Sequence, residues 1–112
     1  MTLMGIELPK AIEIYFTSEN AHDAAALEQC FAANAVVRDE GRTIEGLDAI
    51  RAWRTETGRK YAHKVEPLAI VSRDGRSIVT GKVTGNFPGS PINLDHIFEI
   101  DDYGKIVALE LR

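Results

Sequence analysis

Two ionisable residues stand side by side within an apolar stretch near the end of the chain. Asp95 and His96 lie inside residues 92–100, which otherwise have the composition of a β-strand. An Asp–His pair in such a strand is costly unless it faces solvent, is paired, or does chemistry. Upstream, Tyr15 and Asp39 are candidates for the same cavity. These four residues make acid–base chemistry on a small molecule the first hypothesis.

Composition limits the classes of partner. The chain has 112 residues, one cysteine and a formal net charge of −4, which suits a single domain, residues 1–112, in a reducing cytoplasm. It has no basic stripe with aromatic residues and no apolar run long enough to span a bilayer, so we expect neither a nucleic-acid nor a membrane partner. Residues 1–7 lack the basic start and long apolar stretch of a signal peptide. The three histidines are scattered, so we expect no metal site.

Helical patterns dominate the first half of the chain and strand patterns the second, which predicts an α+β fold. Helices are predicted over residues 9–20, 24–31 and 46–57. Strands are predicted over residues 35–39, 63–73, 77–87, 92–100 and 105–111. Pro9 suits a first helical turn, Asp23 is a good N-cap, and Gly58 suits the position after a helix end.

The spacing of apolar residues indicates which faces are buried. The first helix carries Ile12, Tyr15, Phe16 and Glu19 at intervals of three and four, so Tyr15 lies on or beside the buried stripe. The last strand is apolar on both faces, which predicts helices on one side of the sheet and a second subunit on the other. A homodimer through the outer sheet face is therefore a hypothesis.

The order of elements resembles the nuclear transport factor 2-like superfamily, which includes ketosteroid isomerases, SnoaL-type polyketide cyclases and limonene epoxide hydrolases. The motifs that carry the resemblance are residues 23–37, the helix that starts at Gly46 and reaches Trp53, and the closing turn at residues 104–106. The resemblance implies a cone-shaped α+β fold. Three N-terminal helices would pack on a strongly curved, mainly antiparallel sheet.

Within the superfamily, the ketosteroid isomerases are the most similar in chemistry. They use a tyrosine on the first helix, an aspartate at the end of the first strand and an aspartate on a late strand. Tyr15 and Asp39 match the first two at the spacing that family uses. The resemblance implies that Tyr15 donates a hydrogen bond to an oxyanion and that Asp39 is a general base, favoured by an apolar cavity that disfavours its charged form. Each residue also has a simpler interpretation: Tyr15 as a tyrosine of the core, and Asp39 as a solvated residue at the end of a strand.

The third position of that pattern falls on either Asp95 or His96. His96 shares strand parity with Leu94 and Phe98, so we favour His96 facing the cavity and Asp95 facing outward. A β-bulge near Asn93 would reverse this orientation. His96 could serve as an acid or as a second donor, or it could be a satisfied core histidine.

The chain also departs from the isomerase pattern. Glu40 stands where those enzymes usually have proline, and Arg54 stands where some place a tyrosine that supports the catalytic one. We expect Arg38, Arg51 and Arg54 to be solvated. Arg38 also has the wrong parity to form the Asp–Arg–Asp network of the epoxide hydrolases.

A set of mainly aromatic residues is predicted to line the cavity, although each has a simpler interpretation as core. These residues are Phe16, Trp53, His63, Phe87 and Phe98.

Three functions stay open. An enzyme would use Asp39 for proton transfer on a hydrophobic carbonyl compound, with Tyr15 and either His96 or Asp95 polarising the carbonyl. The reaction would be an isomerisation, cyclisation or dehydration that needs no metal, nucleotide or flavin cofactor. A non-catalytic module would instead hold a small hydrophobic ligand or dock a partner, and a purely structural dimer would have its cone filled by side chains.

Overall fold

The computed structural model describes Thr2, Leu3 and residues 6–112. Met1, Met4 and Gly5, which belong to the segment considered for a signal peptide, lie outside the described residues. The helical elements are α1 (Lys10–Ala21), a 3-10 helix (Ala24–Gln29) and α2 (Leu47–Tyr61). The strands are β1 (Thr2–Leu3), β2 (Ile6–Glu7), β3 (Phe31–Asp39), β4 (Arg42–Glu45), β5 (Lys64–Arg73), β6 (Arg76–Thr84), β7 (Ile92–Ile100) and β8 (Ile106–Leu111).

Six strands form one mixed, curved sheet in the order β4-β3-β8-β7-β6-β5. The pair β3–β8 is parallel, and the other neighbouring pairs are antiparallel. Register shifts interrupt the β3–β8, β5–β6 and β7–β8 pairings. Such irregularities bend strands and increase their twist, which lets the sheet curve around the helices. The α+β class is therefore confirmed.

The prediction of three N-terminal helices is wrong. The described residues form two α-helices and one short 3-10 helix, and α2 follows the β3–β4 hairpin. The segment Ala24–Gln29 fully buries only Leu27, so it has too small an apolar face to stabilise an α-helix. Asp23 makes no side-chain capping bond, and Phe31 belongs to β3 instead of to a helix.

Helix α2 continues one turn beyond its predicted end. Gly58 lies inside the helix, which ends at Ala62 in a left-handed conformation with φ 48°. A Cβ at position 58 would lie 3.2 Å from Nδ1 of His22. Gly58 therefore permits the close approach of α2 to the end of α1, and it does not terminate the helix.

The helices pack on the concave face of the sheet and bury a continuous core. In β3, Ala35 and Val37 are fully buried while Arg38 is exposed, as expected for a strand with one face on the core. The largest fully buried apolar side chains are Ile12, Tyr15, Phe16, Leu27, Phe31, Ile50, Phe98, Ile106 and Leu109. Within the described residues, neither α-helix has the length and apolar character needed to cross a bilayer.

Candidate functional site

A cavity of about 200 Å³ opens between the C-terminal halves of α1 and α2 and the concave face of the sheet. Its polar lining residues are Glu19, Asp39, Glu40, Arg54, Thr57, Tyr61, His63 and His96. Its apolar lining residues are Trp53, Val83, Phe87, Ile92, Leu94 and Leu111. Ionisable groups thus converge on a small space with largely apolar walls, which is the usual character of a ligand site.

Asp39 reaches the cavity from the last residue of β3. It is half-buried, and its Oδ2 accepts a hydrogen bond of 2.9 Å from Nε1 of Trp53 on α2. Its Oδ1 accepts no hydrogen bond from the described residues. One oxygen is therefore fixed by the protein, and the other is open to a ligand.

His96 lies on β7 with only 2% of its surface exposed. Its Nδ1 is 3.2 Å from the carbonyl oxygen of Leu94, and a carbonyl can only accept, so Nδ1 carries a proton. Burial lowers the pKa of His96, and the nearby Glu19 only partly opposes this effect. The neutral ring therefore prevails at pH 7, with its lone pair on Nε2.

The neighbouring Asp95 lies on the opposite face of β7. It is exposed, and its Oδ1 accepts a hydrogen bond of 3.1 Å from the hydroxyl of Thr80. Of the two alternatives for the late-strand residue, the structure places His96 in the cavity and Asp95 outside it. The adjacent Gly81 leaves room for the imidazole, because a Cβ there would lie 3.0 Å from Cε1 of His96.

A buried network forms the floor of the cavity, with Arg54 at its centre. Nη1 of Arg54 donates to Oε2 of Glu19 at 3.2 Å and to Oγ1 of Thr57 at 3.4 Å. Nη2 donates to the hydroxyl of Tyr15 at 2.6 Å. Nε2 of His63 lies 2.6 Å from the same Glu19 oxygen and 3.2 Å from Nη1 of Arg54, and because the carboxylate can only accept, the N–H of Nε2 is directed to Glu19. The expectation that Arg54 is solvated is therefore wrong, since only 3% of its surface is exposed.

The charges of this network are fixed by its geometry. Burial raises the pKa of Glu19, but Arg54 and the hydrogen bond from His63 outweigh burial and lower it to about 2. Burial lowers the pKa of Arg54, and the neighbouring Glu19 and Tyr15 more than restore it. Burial raises the pKa of Tyr15 well above its usual value. At neutral pH the floor therefore holds a carboxylate–guanidinium pair beside a neutral tyrosine.

The structure does not bring Tyr15 to the cavity surface. Its ring is fully buried against Phe16, Phe31 and Phe98 in edge-to-face contacts, and its hydroxyl accepts from Arg54. Tyr15 thus fixes the position of Arg54 from the core, on the side away from the cavity. The predictions that Phe16 and Phe98 line the cavity are wrong, because both are fully buried in the core.

The other three predicted wall residues, Trp53, His63 and Phe87, do line the cavity. Sequence reasoning missed Glu19 and Arg54 as site residues. A signal for Glu19 was present, because an acid on the buried stripe of an amphipathic helix requires a buried partner. No comparable signal marked Arg54, which follows a buried tryptophan on a helix with many charged residues.

A larger, shallow groove of about 860 Å³ runs between the 3-10 helix and α2. It contains none of the predicted site residues, and its charged side chains, such as Arg51 and Glu28, pair with each other at the surface. We assign the site to the smaller cavity because the buried ionisable groups converge there.

Comparison with known proteins identifies the family to which the chain belongs. The model of the SnoaL-like domain matches residues 12–109, which is most of the chain. The chain belongs to the SnoaL-like family. A proposed polyketide cyclase from Sinorhizobium meliloti is 37% identical to this SnoaL-like domain, with a TM-score of 0.88 and coverage of 94% of this chain and 95% of that one.

More distant structures share the fold. A hypothetical protein with a ketosteroid isomerase-like fold from Catenulispora acidiphila, solved in complex with trimethylamine, is 16% identical, with a TM-score of 0.80 over 95% of this chain and 86% of that one. The epoxide hydrolase/cyclase-like enzyme SalBIII of salinomycin formation is 20% identical, with a TM-score of 0.77 over 91% and 86%. No curated protein sequence shows significant similarity to the chain.

Proposed function

We propose that this SnoaL-like domain is an enzyme that transfers a proton on a small carbonyl compound, with Asp39 as the general base. The observation that carries the proposal is the position of Asp39. Its Oδ2 is held by Trp53, and its Oδ1 is left open to a cavity that also contains His96. A carboxylate fixed at the wall of a small cavity is well placed to accept a proton from carbon.

The reaction needs only groups that the chain supplies. Oδ1 of Asp39 would take the proton from the carbon next to the carbonyl, and the C–H electron pair would move to form an enolate. In a substrate with a C=C bond next to the deprotonated carbon, the enolate extends over that bond, so the carboxylic acid of Asp39 would return the proton to the far carbon of the bond, which moves the double bond, releases the isomer and restores the carboxylate. Dehydration or cyclisation would use the same first step.

We assign the negative charge that develops on the substrate oxygen to Arg54. The resemblance gave this role to Tyr15, but Arg54 lines the cavity and Tyr15 lies behind it. The guanidinium is held by bonds to Glu19 and Tyr15, and its Nε has almost no exposed surface, so Arg54 would act on the substrate oxygen as a fixed positive charge. A fixed guanidinium in a cavity that excludes water is an effective stabiliser of such charge.

The size of the cavity limits the substrate. Its volume of about 200 Å³ is below the roughly 300–1,000 Å³ of pockets for drug-sized ligands. The substrate, or the part of it that reacts, is therefore small, which favours a compact ketone or aldehyde over a fused polycycle.

Exchange of carbon-bound protons tests the proposal directly. Small linear and cyclic ketones in D₂O would be followed by NMR for loss of the α-proton signals. Wild type should accelerate exchange for at least one compound, and Asp39→Asn should slow it by about 10²–10⁴-fold, the usual contribution of a general base. Asp95→Asn is the matched control, because Asp95 lies on the outer sheet face, and it should exchange at the wild-type rate. Equal rates for wild type and Asp39→Asn would refute the role of Asp39.

A non-catalytic ligand-binding module is the second candidate. The bond from Trp53 to Asp39 favours it, because this bond gives the carboxylate a structural use independent of chemistry. This alternative predicts that ketones perturb the emission of Trp53 without any Asp39-dependent exchange.

We also propose a homodimer through the outer sheet face and a cytoplasmic location. The dimer is supported by half-buried apolar residues on that face, such as Ile78 and Ile97, and by the exposed Leu68 and Val71 on the edge strand β5. Light scattering should give twice the chain mass, and Ile97→Glu should give a monomer. The location rests on Cys30, which is buried and has no second cysteine to pair with.

A further inference from the structure

We propose that the substrate carries a protonated amine, which binds at the mouth of the cavity between Asp39, Glu40 and the rings of Tyr61 and Phe87. The inference deepens the proposed function, since it names the class of substrate for the same cavity. It follows from the charge, the hydrogen-bonding groups and the aromatic walls, each of which points to a cation.

The first observation is an excess of negative charge on the cavity lining. Three carboxylates line the cavity, those of Glu19, Asp39 and Glu40, against the single guanidinium of Arg54. Arg54 is bonded to Glu19, so these two charges offset each other. The carboxylates of Asp39 and Glu40 remain on the lining, and Lys60, whose charge interacts with Glu40, lies outside it. A cleft with walls of low dielectric focuses such a potential and concentrates ligands of the opposite sign.

The second observation is an excess of hydrogen-bond acceptors. Two donors on the lining of the mouth are already used, because Trp53 donates to Asp39 and the hydroxyl of Tyr61 donates to Oε1 of Glu40 at 3.1 Å. The second oxygens of both these carboxylates have no protein donor among the described residues.

A buried acceptor at the floor supports the same conclusion. Oε1 of Glu19 has no hydrogen-bond partner among the described residues, although 94% of its side chain is buried. Nδ1 of His63 is likewise without a partner among the described residues. Buried acceptors without partners are rare in proteins, and a cation in the cavity would lower the electrostatic cost of this carboxylate oxygen.

The third observation is the arrangement of aromatic rings. Tyr61 and Phe87 meet at an angle of 89° with their centroids 5.9 Å apart, so they form two perpendicular walls beside Glu40. Nζ of Lys60, which does not line the cavity, already lies 5.1 Å from the Tyr61 centroid. Aromatic walls next to a carboxylate recognise alkylammonium groups through cation–π attraction.

Three probes of the same shape and different charge test the ligand class. They are protonated 2-(dimethylamino)ethanol, neutral 3-methyl-1-butanol and the anion 3-methylbutanoate. Trp53 is the only tryptophan of the chain and lines the cavity, so its emission reports binding. At constant ionic strength, we expect the amine to bind at least about fivefold more tightly than the alcohol, and the anion to bind weakest.

Variants of the mouth assign the preference to its residues. Glu40→Gln and Tyr61→Leu should each lower the preference for the amine over the alcohol by about two- to fivefold. Glu45→Gln, an exposed acid outside the lining, should leave that preference unchanged. If the alcohol binds as well as the amine, or if Glu40→Gln leaves the preference intact, the ligand class is wrong while the proposed proton transfer stands. If no probe changes the emission of Trp53 and no ketone shows Asp39-dependent exchange, both proposals fail.

Discussion

The buried pair of Glu19 and Arg54 gives a quantitative prediction for the variant Glu19→Gln. The substitution keeps the size of the side chain and removes its charge, so Arg54 stays buried with no anion bonded to it. The side chains of Arg54 and Glu19 are only 3% and 6% exposed, so water cannot replace the lost partner. Breaking a buried ion pair by removing one partner usually costs about 3–5 kcal/mol.

The pKa of Glu19 gives the same magnitude by an independent route. It falls from 4.5 to about 2 on folding, because Arg54 and His63 outweigh the effect of burial. At about 1.4 kcal/mol for each pH unit, this difference corresponds to about 3 kcal/mol of stability at pH 7. Since a domain of this size is stable by about 5–15 kcal/mol, the loss is large but leaves the protein folded.

Urea unfolding followed by the emission of Trp53 measures this loss. At pH 7 we expect Glu19→Gln to lower the free energy of unfolding by about 3 kcal/mol, which shifts the midpoint by about 1–3 M. Glu99→Gln is the control, because Glu99 pairs with Arg76 at 3.0 Å but the side chains are 44% and 53% exposed. Pairs at the surface contribute about 0–1 kcal/mol. A loss in Glu19→Gln no larger than the loss in the control would refute the reasoning.

Lowering the pH provides a second test of whether the ion pair causes the loss of stability in Glu19→Gln. The folded-state pKa of Glu19 is lowered, so its contribution is complete above about pH 4.5 and is lost as the pH falls toward 2. The difference between wild type and Glu19→Gln should therefore fall to about half at pH 3. A difference that stays constant between pH 7 and pH 3 would mean that packing, and not the ion pair, carries it.

Further predictions concern the neighbours of this network. Tyr15→Phe should lower the free energy of unfolding by about 1.5–3 kcal/mol, because it removes the hydrogen bond that Arg54 donates to the hydroxyl. The rate of ketone proton exchange should stay within about tenfold of wild type, and a rate lowered by 10²-fold or more would show that Tyr15 is the oxyanion donor. Gly81→Ala should cost about 1–3 kcal/mol and shift the imidazole NMR signals of His96, because the new Cβ would lie 3.0 Å from its ring; unshifted signals would contradict this. The NMR titration of His96 should have a midpoint below pH 6.5, since burial lowers its pKa, and its stability contribution should be lost as pH falls below 6.5; a midpoint above 6.5 would show a charged, paired ring. Cys30 should resist alkylation at pH 8 until the protein unfolds, because burial raises the pKa of its thiol to about 12, and rapid labelling of the native protein would exclude this burial.

The fold could be predicted largely from local patterns. The alternation in β3 and the apolar parity of β7 place Asp39 and His96 on the concave side, because period-two patterns determine the face of a strand directly. Such patterns could not predict the 3-10 helix. The segment forms a 3-10 helix and not an α-helix because Leu27 is the residue that it buries in the core. Gly58 shows the same limit. Its place inside α2 reflects the approach of His22, which no local rule contains.

The polar half of the site depended on tertiary packing and so was predicted only in part. An arginine on a charged helix normally stays in solvent, and Arg54 is buried only because Glu19 and Tyr15 on α1 offer it partners. Tyr15 and Asp39 matched a pattern in which both groups face the ligand. The arginine between them changes this arrangement and places the tyrosine in a supporting position.

Helix α2 couples the two polar ends of the cavity. Trp53 and Arg54 are consecutive residues, and the first holds Asp39 at the end of β3 while the second holds Glu19 at the end of α1. Consecutive residues on a helix point about 100° apart, so one rotation of α2 sets both contacts. A change that turns α2 would misplace the base and the floor of the cavity together. The proposed base and the proposed oxyanion stabiliser are therefore best regarded as one unit, and variants of Trp53 should impair the Glu19–Arg54 pair as well as Asp39.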